Sequence, residues 1–169
     1  MNAEHSVEYE LFRGGEPSAA DSEALLAQYR LLVETSEALV VRRQGVNTFF
    51  LSVNSLVLAA AGLLLRDGTL SNLEGFALSC LSLGGCVLCF VWWRLITSFR
   101  QLSKGKFDVI HALEDRLPAR VFAAEWAALG RGTDPKKYVP FTGTEAKTPL
   151  VFAALHLLFV GAVVCQVVS

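Results

Sequence analysis

Three stretches of this chain, FFLSVNSLVLAAAGLLL (49–65), GFALSCLSLGGCVLCFVWW (75–93) and PLVFAALHLLFVGAVVCQVVS (149–169), contain no Asp, Glu, Lys or Arg. Each is roughly 17–21 residues long, the length at which a helix crosses about 30 Å of hydrocarbon. A segment in lipid must satisfy its backbone internally, so helices are the expected form and loops belong at the two surfaces. The sequence therefore reads as an all-α polytopic membrane protein with transmembrane helices over 48–65, 75–93 and 149–169. Composition agrees. Of 169 residues 53% are hydrophobic and 18% charged, against about a quarter charged in ordinary soluble domains.

Orientation follows from Lys and Arg. The turn 66–74 carries one basic residue, Arg66, whereas 94–148 carries ten, and Arg42 and Arg43 precede the first span. Basic loops stay on the cytoplasmic side, so the N-terminus and 94–148 are expected in the cytoplasm and the C-terminus outside. The acidic start (Glu4, Glu8, Glu10) lacks the basic character of a cleavable signal. A net charge of −1 gives no reason to expect direct nucleic-acid binding.

Outside the spans, residues 1–20 show no period and read as a mobile tail, with Ser18 and Asp21 spaced as a capping box. Residues 21–47 read as an amphipathic helix with Leu25, Tyr29, Leu32, Val33 and Leu39 at helical spacing. It either weakens at Gly45 or continues into the first span as one long rod. The second span keeps a helical stripe through Leu95, Ile96, Phe99 and Leu102, with a break expected at Lys104-Gly105. Within the helical region 94–148, Pro118 opens a further helix that Gly130 closes. Trp92 and Trp93 suit the interfacial belt.

These short amphipathic helices have little core of their own, so their apolar faces look to neighbouring subunits. Small residues stripe the spans: Ser52, Ser55, Ala59 and Gly62; Ser79, Ser82, Cys86 and Cys89; Ala154, Gly161 and Cys165. Such residues let membrane helices approach closely, within a subunit or between subunits.

The polar exceptions carry the functional reading. Gln44, Asn47 and Asn54 share one helical face. A carboxamide in hydrocarbon either bonds a neighbouring helix or faces water. His156 has no acid or second histidine with it in the spans, and an interhelical hydrogen bond explains it best. Cys86-x-x-Cys89 matches the letters of a metal or redox motif without a second pair or a nearby histidine, so packing is the better reading. No HExxH, GxSxG, P-loop or dinucleotide fingerprint is present. Arg100 and His111 are too far apart for the ribonuclease motif of HEPN domains. Glu114, Asp115 and Glu125 lie beside basic residues and read as solvated ion pairs. The expectation is a non-enzyme with no catalytic residues, metal or cofactor.

A longer motif string is also present. It runs Arg43-Gln44-x-x-Asn47-x-Phe49-Phe50-Leu51-x-x-Asn54, then Trp93-Arg94-Leu95-Ile96-x-Ser98-Phe99-Arg100 and Lys106-Phe107-x-Val109-Ile110. Glu114-x-x-Leu117-Pro118, Glu125-Trp126-x-x-Leu129-Gly130 and Tyr138-x-Pro140-x-Thr142-x-x-Glu145 complete it. Over about residues 25–165 the chain resembles the RipA family of octameric bacterial inner-membrane proteins. It is similar also to the octameric membrane proteins that accompany RNA-targeting (type VI) CRISPR effectors. The resemblance implies a homo-octameric ring in the bacterial inner membrane, where the outer side that receives the C-terminus is the periplasm, and, through the CRISPR-associated proteins, a pore-like role in defence.

The leading expectation is a homo-oligomeric assembly enclosing a pore or vestibule lined by Gln44, Asn47 and Asn54, with Arg42 and Arg43 as a basic collar. The alternative is a sealed scaffold that recruits a cytoplasmic protein partner. Phe107, Trp126 and Tyr138 are the expected packing or partner-contact residues. Other copies of the chain and membrane lipid are the remaining partners.

Overall fold

A computed structural model describes residues 3–12, 21–64, 71–138 and 142–168. The described residues are helical with connecting turns: α1 (Ala3–Phe12), α2 (Ser22–Leu64), α3 (Asn72–Glu114), α4 (Val121–Ala128), a 3-10 turn at Gly130–Gly132, α5 (Thr142–Glu145) and α6 (Thr148–Val168). Three helices, α2, α3 and α6, are long and apolar enough to cross a membrane. The three-span helical architecture read from the sequence is the one observed.

Two compact units divide the chain. A polar unit gathers Met1–Val41 and Phe99–Pro140, and a membrane unit gathers Arg42–Ser98 and Phe141–Ser169. Helices α2 and α3, of 43 residues each, contribute to both. At 1.5 Å per residue each is about 65 Å long.

Neither glycine expected to weaken these helices breaks one. α2 runs through Gly45, and α3 runs through Lys104-Gly105 without the expected interruption. A helical glycine costs only about 1 kcal/mol. Buried residues flank both positions, Leu39 and Phe50 around the first and Ile96 and Ile110 around the second, and their packing outweighs that cost.

The start of α3 is fixed by a reciprocal capping box that the sequence reading did not single out. Ser71 N–H and Oγ–H donate to Glu74 Oε2 at 2.9 and 2.8 Å, and Glu74 N–H returns to Ser71 Oγ at 3.3 Å. Ser18, proposed from sequence as a cap, lies outside the described residues. Part of the expected N-terminal tail is helical. α1 is attached by an Arg116–Glu8 ion pair of 2.7 Å and by the Arg116 guanidinium lying 5.1 Å from the Phe12 ring centre. Those partners are over a hundred residues away in sequence, so no local pattern could show them.

The membrane unit packs in layers. Phe50, Trp92 and Ile96 form one cluster with Val46, Leu88, Ala146 and Phe152 against it. Phe50 and Trp92 stack with ring centres 5.9 Å apart and planes 8° from parallel. Trp92 is therefore a core residue, and its indole N–H donates to Asn47 Oδ1 at 2.9 Å. Of the two tryptophans expected at the lipid interface, only Trp93 is exposed. A second cluster joins Ala61, Leu78 and Val163, with Phe159 against it.

Along all three helices the buried residues between these clusters are polar or small: Asn54 on α2, Ser82, Gly85 and Cys89 on α3, and His156 on α6. Gly85 is there because of His156. A Cβ at Gly85 would overlap the His156 imidazole, whereas one at the adjacent Gly84 would meet nothing within 4 Å. Gly85→Ala should therefore lower the melting temperature of the detergent-solubilised protein, and Gly84→Ala should leave it unchanged or raise it slightly. Equal responses of the two would show that the helices do not approach at Gly85.

Candidate functional site

Two polar junctions, one in each unit, concentrate the chemistry. In the membrane unit, Asn54 Oδ1 accepts from Cys89 Sγ at 3.2 Å and from His156 Nε2 at 3.1 Å. Asn54 Nδ2 donates to the Phe50 carbonyl of its own helix at 2.8 Å. An acceptor at Nε2 fixes the imidazole tautomer with its proton there. Asn54 and His156 are both completely buried. Three helices thus meet on one carboxamide oxygen, which is how an amide is accommodated in a medium without water.

This geometry gives the surroundings of several residues singled out in the sequence. His156 bonds a neighbouring helix, as read from the sequence. Asn54, expected to line a pore, is completely buried, with its carboxamide bonded inside the subunit. Asn47 is half-buried, with its oxygen taken by Trp92, while Gln44 is exposed. The three residues on one helical face therefore have three different environments. α2 turns one edge of that face toward α3, and a shared face does not mean a shared surroundings.

The basic pair separates in the same way. Arg42 is exposed, while the half-buried Arg43 points its Nε at Glu145 Oε2, 3.5 Å away, within the membrane unit. Arg43 therefore ties α2 to α5. The two thiols of Cys86-x-x-Cys89 have different partners, the Ala153 carbonyl at 3.9 Å and Asn54. Among the described residues no group of three or more His, Cys, Asp or Glu side chains is placed to hold a metal ion.

The second junction, in the polar unit, was missed. Glu114 is completely buried, not a solvated surface carboxylate. Oε1 accepts from the Tyr29 hydroxyl at 3.1 Å and the Phe122 N–H at 2.7 Å. Oε2 accepts from the Ala123 N–H at 3.1 Å and His111 Nδ1 at 3.4 Å. α4 has Arg120 at its N-cap position without a side-chain capping bond. Glu114 supplies the cap from the end of α3, meeting the second and third amides of α4 as a local cap would. Burial pushes its carboxyl pKa up, but the donors, led by the Phe122 and Ala123 amides, outweigh this and hold it below the ordinary carboxylate value. Burial, and then the hydrogen bond to Glu114 and the charge of that carboxylate, push the Tyr29 phenol up.

Around this junction Phe122 packs against Tyr29 and Phe107, with ring centres 6.3 and 6.0 Å apart. Trp126 and Tyr138 form an edge-to-face pair at 6.3 Å. Phe107, Trp126 and Tyr138 each keep more than a third of their surface exposed. The expectation of solvated pairing does hold for Asp115, whose carboxylate meets Arg120 at 2.8 Å with both side chains exposed. The signals for Glu114 were the i, i+3 spacing from His111 and a helix start after Pro118 with no Ser, Thr, Asp or Asn to cap it.

The octameric membrane protein family (8xMP) matches residues 26–165. This chain belongs to that family. Membership means a membrane protein that self-associates, as the unpaired amphipathic helices suggested. No curated protein and no solved structure matches the chain.

Glu114→Ala would strand two backbone amides and a phenol, at about 1–3 kcal/mol for each buried donor left unmet. The expected loss is on the order of 3 kcal/mol or more, with hydrogen-exchange protection at Phe122 and Ala123 lost first. Asp115→Ala should cost about 0.5 kcal/mol or less. Because the folded pKa of Glu114 is lowered, its contribution is complete above the unfolded value of about 4.3 and is lost as pH falls through the folded value. Acid should therefore release α4 in the native protein, and this pH response should be absent in Glu114→Gln.

Proposed function

We propose that the protein forms a closed homo-octameric ring in the bacterial inner membrane, with its polar unit cytoplasmic, enclosing an axial vestibule or pore. The observation that carries this reading is the fate of the three small-residue stripes. Ser82 and Cys89 are buried inside the subunit, with Ser79 and Cys86 half-buried beside them. Ser52, Ser55, Ala59 and Gly62 on α2, and Ala154, Gly161 and Cys165 on α6, are exposed. A ring needs two different faces on each subunit, one meeting the other around the circle. Faces of small residues suit such contacts in lipid, where close approach supplies the dispersion energy. Larger exposed side chains such as Leu56, Leu157 and Leu158 suit contact with lipid tails.

With Asn54 closed inside the subunit, Gln44 and Arg42 remain as the exposed polar groups for a cytoplasmic mouth. At hydrocarbon depth the axis would then be apolar, and an apolar constriction gates by excluding water. Opening would require the helices to repack. The defence role rests on the resemblance to membrane proteins that accompany RNA-targeting CRISPR effectors. A sealed scaffold is the second reading, favoured by the same consumption of Asn54. Its partner surface would be Phe107, Trp126 and Tyr138.

Ion flux from liposomes carrying the purified octamer separates the two. A pore predicts flux whose cation preference rises several-fold with Gln44→Glu. Tight liposomes, with the octamer intact by native mass, would leave the scaffold.

A further inference from the structure

We infer that the polar unit carries a binding site for a guanine nucleotide. A cleft of about 850 Å³ lies between α1, α3 and α4, and Glu8, Lys104, Asp108, Asp115, Trp126 and Arg131 are among the residues that wall it. That volume is within the range of small-molecule sites. Several of its polar groups already have partners: Glu8 pairs with Arg116, Asp115 with Arg120, and His111 bonds Glu114. Lys104, Asp108 and Arg131 have no hydrogen-bond or ion-pair partner among the described residues. The cleft therefore offers two uncommitted cations, one uncommitted carboxylate and an indole.

Each fits a different part of one ligand. Trp126 is 42% exposed and is held edge-to-face by Tyr138, which leaves indole surface for a base to stack on. Lys104 and Arg131 match phosphate, Arg by its fork of donors and Lys as a point charge. Asp108 accepts only, and guanine presents two adjacent N–H donors to a carboxylate where adenine presents a single amino group. The backbone adds an independent observation. Arg131 is left-handed, at φ 53° and ψ 28°, between Gly130 and Gly132, which are also left-handed. A non-glycine residue held this way is strained, and such strain clusters at ligand clamps. Glycine would suit position 131 better unless the guanidinium is needed there.

The test is equilibrium binding of GTP, ATP and pyrophosphate to the full-length protein in phosphatidylcholine nanodiscs. Saturable GTP binding is expected, with ATP and pyrophosphate each at least tenfold weaker. Trp126→Leu should weaken GTP tenfold or more, and Asp108→Asn should bring GTP and ATP together. Arg131→Gly relieves the backbone strain, so a tenfold loss of affinity with the melting temperature kept or raised would assign the loss to the guanidinium. No saturable GTP binding at millimolar concentration, equal affinity for GTP and pyrophosphate, or unchanged GTP affinity in Arg131→Gly would each overturn the assignment. None of these outcomes bears on whether the octamer conducts.

Discussion

An amide in hydrocarbon has no water to bond, and the arrangement of the membrane unit follows from how Asn54 meets that constraint. Its oxygen takes a donor from α3 and another from α6, while its nitrogen returns to its own helix. Leaving a buried polar group unmet costs about 1–3 kcal/mol. A slip of any one helix by one residue would remove a bond and turn the aromatic layer of Phe50, Trp92 and Phe152 out of register. The carboxamide thus fixes rotation and depth together, which apolar packing alone specifies weakly in lipid. Gly85 is the steric counterpart, leaving on α3 the room that the imidazole occupies.

The polar unit uses a related device with a charge in place of an amide. Glu114 binds Tyr29 on α2, His111 on its own helix and the opening amides of α4. A buried carboxylate without such donors would be too costly to keep ionised. With them it caps a short helix that has no cap of its own. In both units one fully buried polar side chain connects three segments of chain, and the surrounding apolar contacts depend on that alignment. The consequence for function is similar in each unit. Asn54 and Glu114 are consumed inside the subunit, so surfaces for other copies, lipid or ligand are built from what remains.

How much was legible in advance varies with the range of the interaction. Long uncharged runs report span number directly, because the bilayer imposes length and polarity on each helix separately. The His156 contact was legible too, since a lone histidine in a span has few ways of being satisfied. The environments of Asn47 and Asn54 were not. Helical spacing gives the face on which a residue stands, while the positions of α3 and α6 decide what that face meets. Trp92 and Trp93 make the same point, being adjacent in sequence with one in the core and one exposed. Gly105 looked like a break because propensity is local, whereas the packing that overrides it is not. Glu114 looked solvated because basic neighbours lie close in sequence, while its true partners include Tyr29, 85 residues away.

With its partners on α3 and α6, the polar layer at Asn54 is closed within each subunit. Cys89, whose thiol donates to Asn54, reports on this without a substitution at the junction. The most direct measurement is its rate of reaction with a charged, water-soluble thiol reagent in the intact octamer, with Cys80, Cys86 and Cys165 replaced by alanine. Cys89 is expected to stay unreacted in the folded assembly and to react only on denaturation. Labelling as fast as that of a cysteine placed at the exposed Gln44 position would mean that water reaches the layer, and the closed junction would be contradicted.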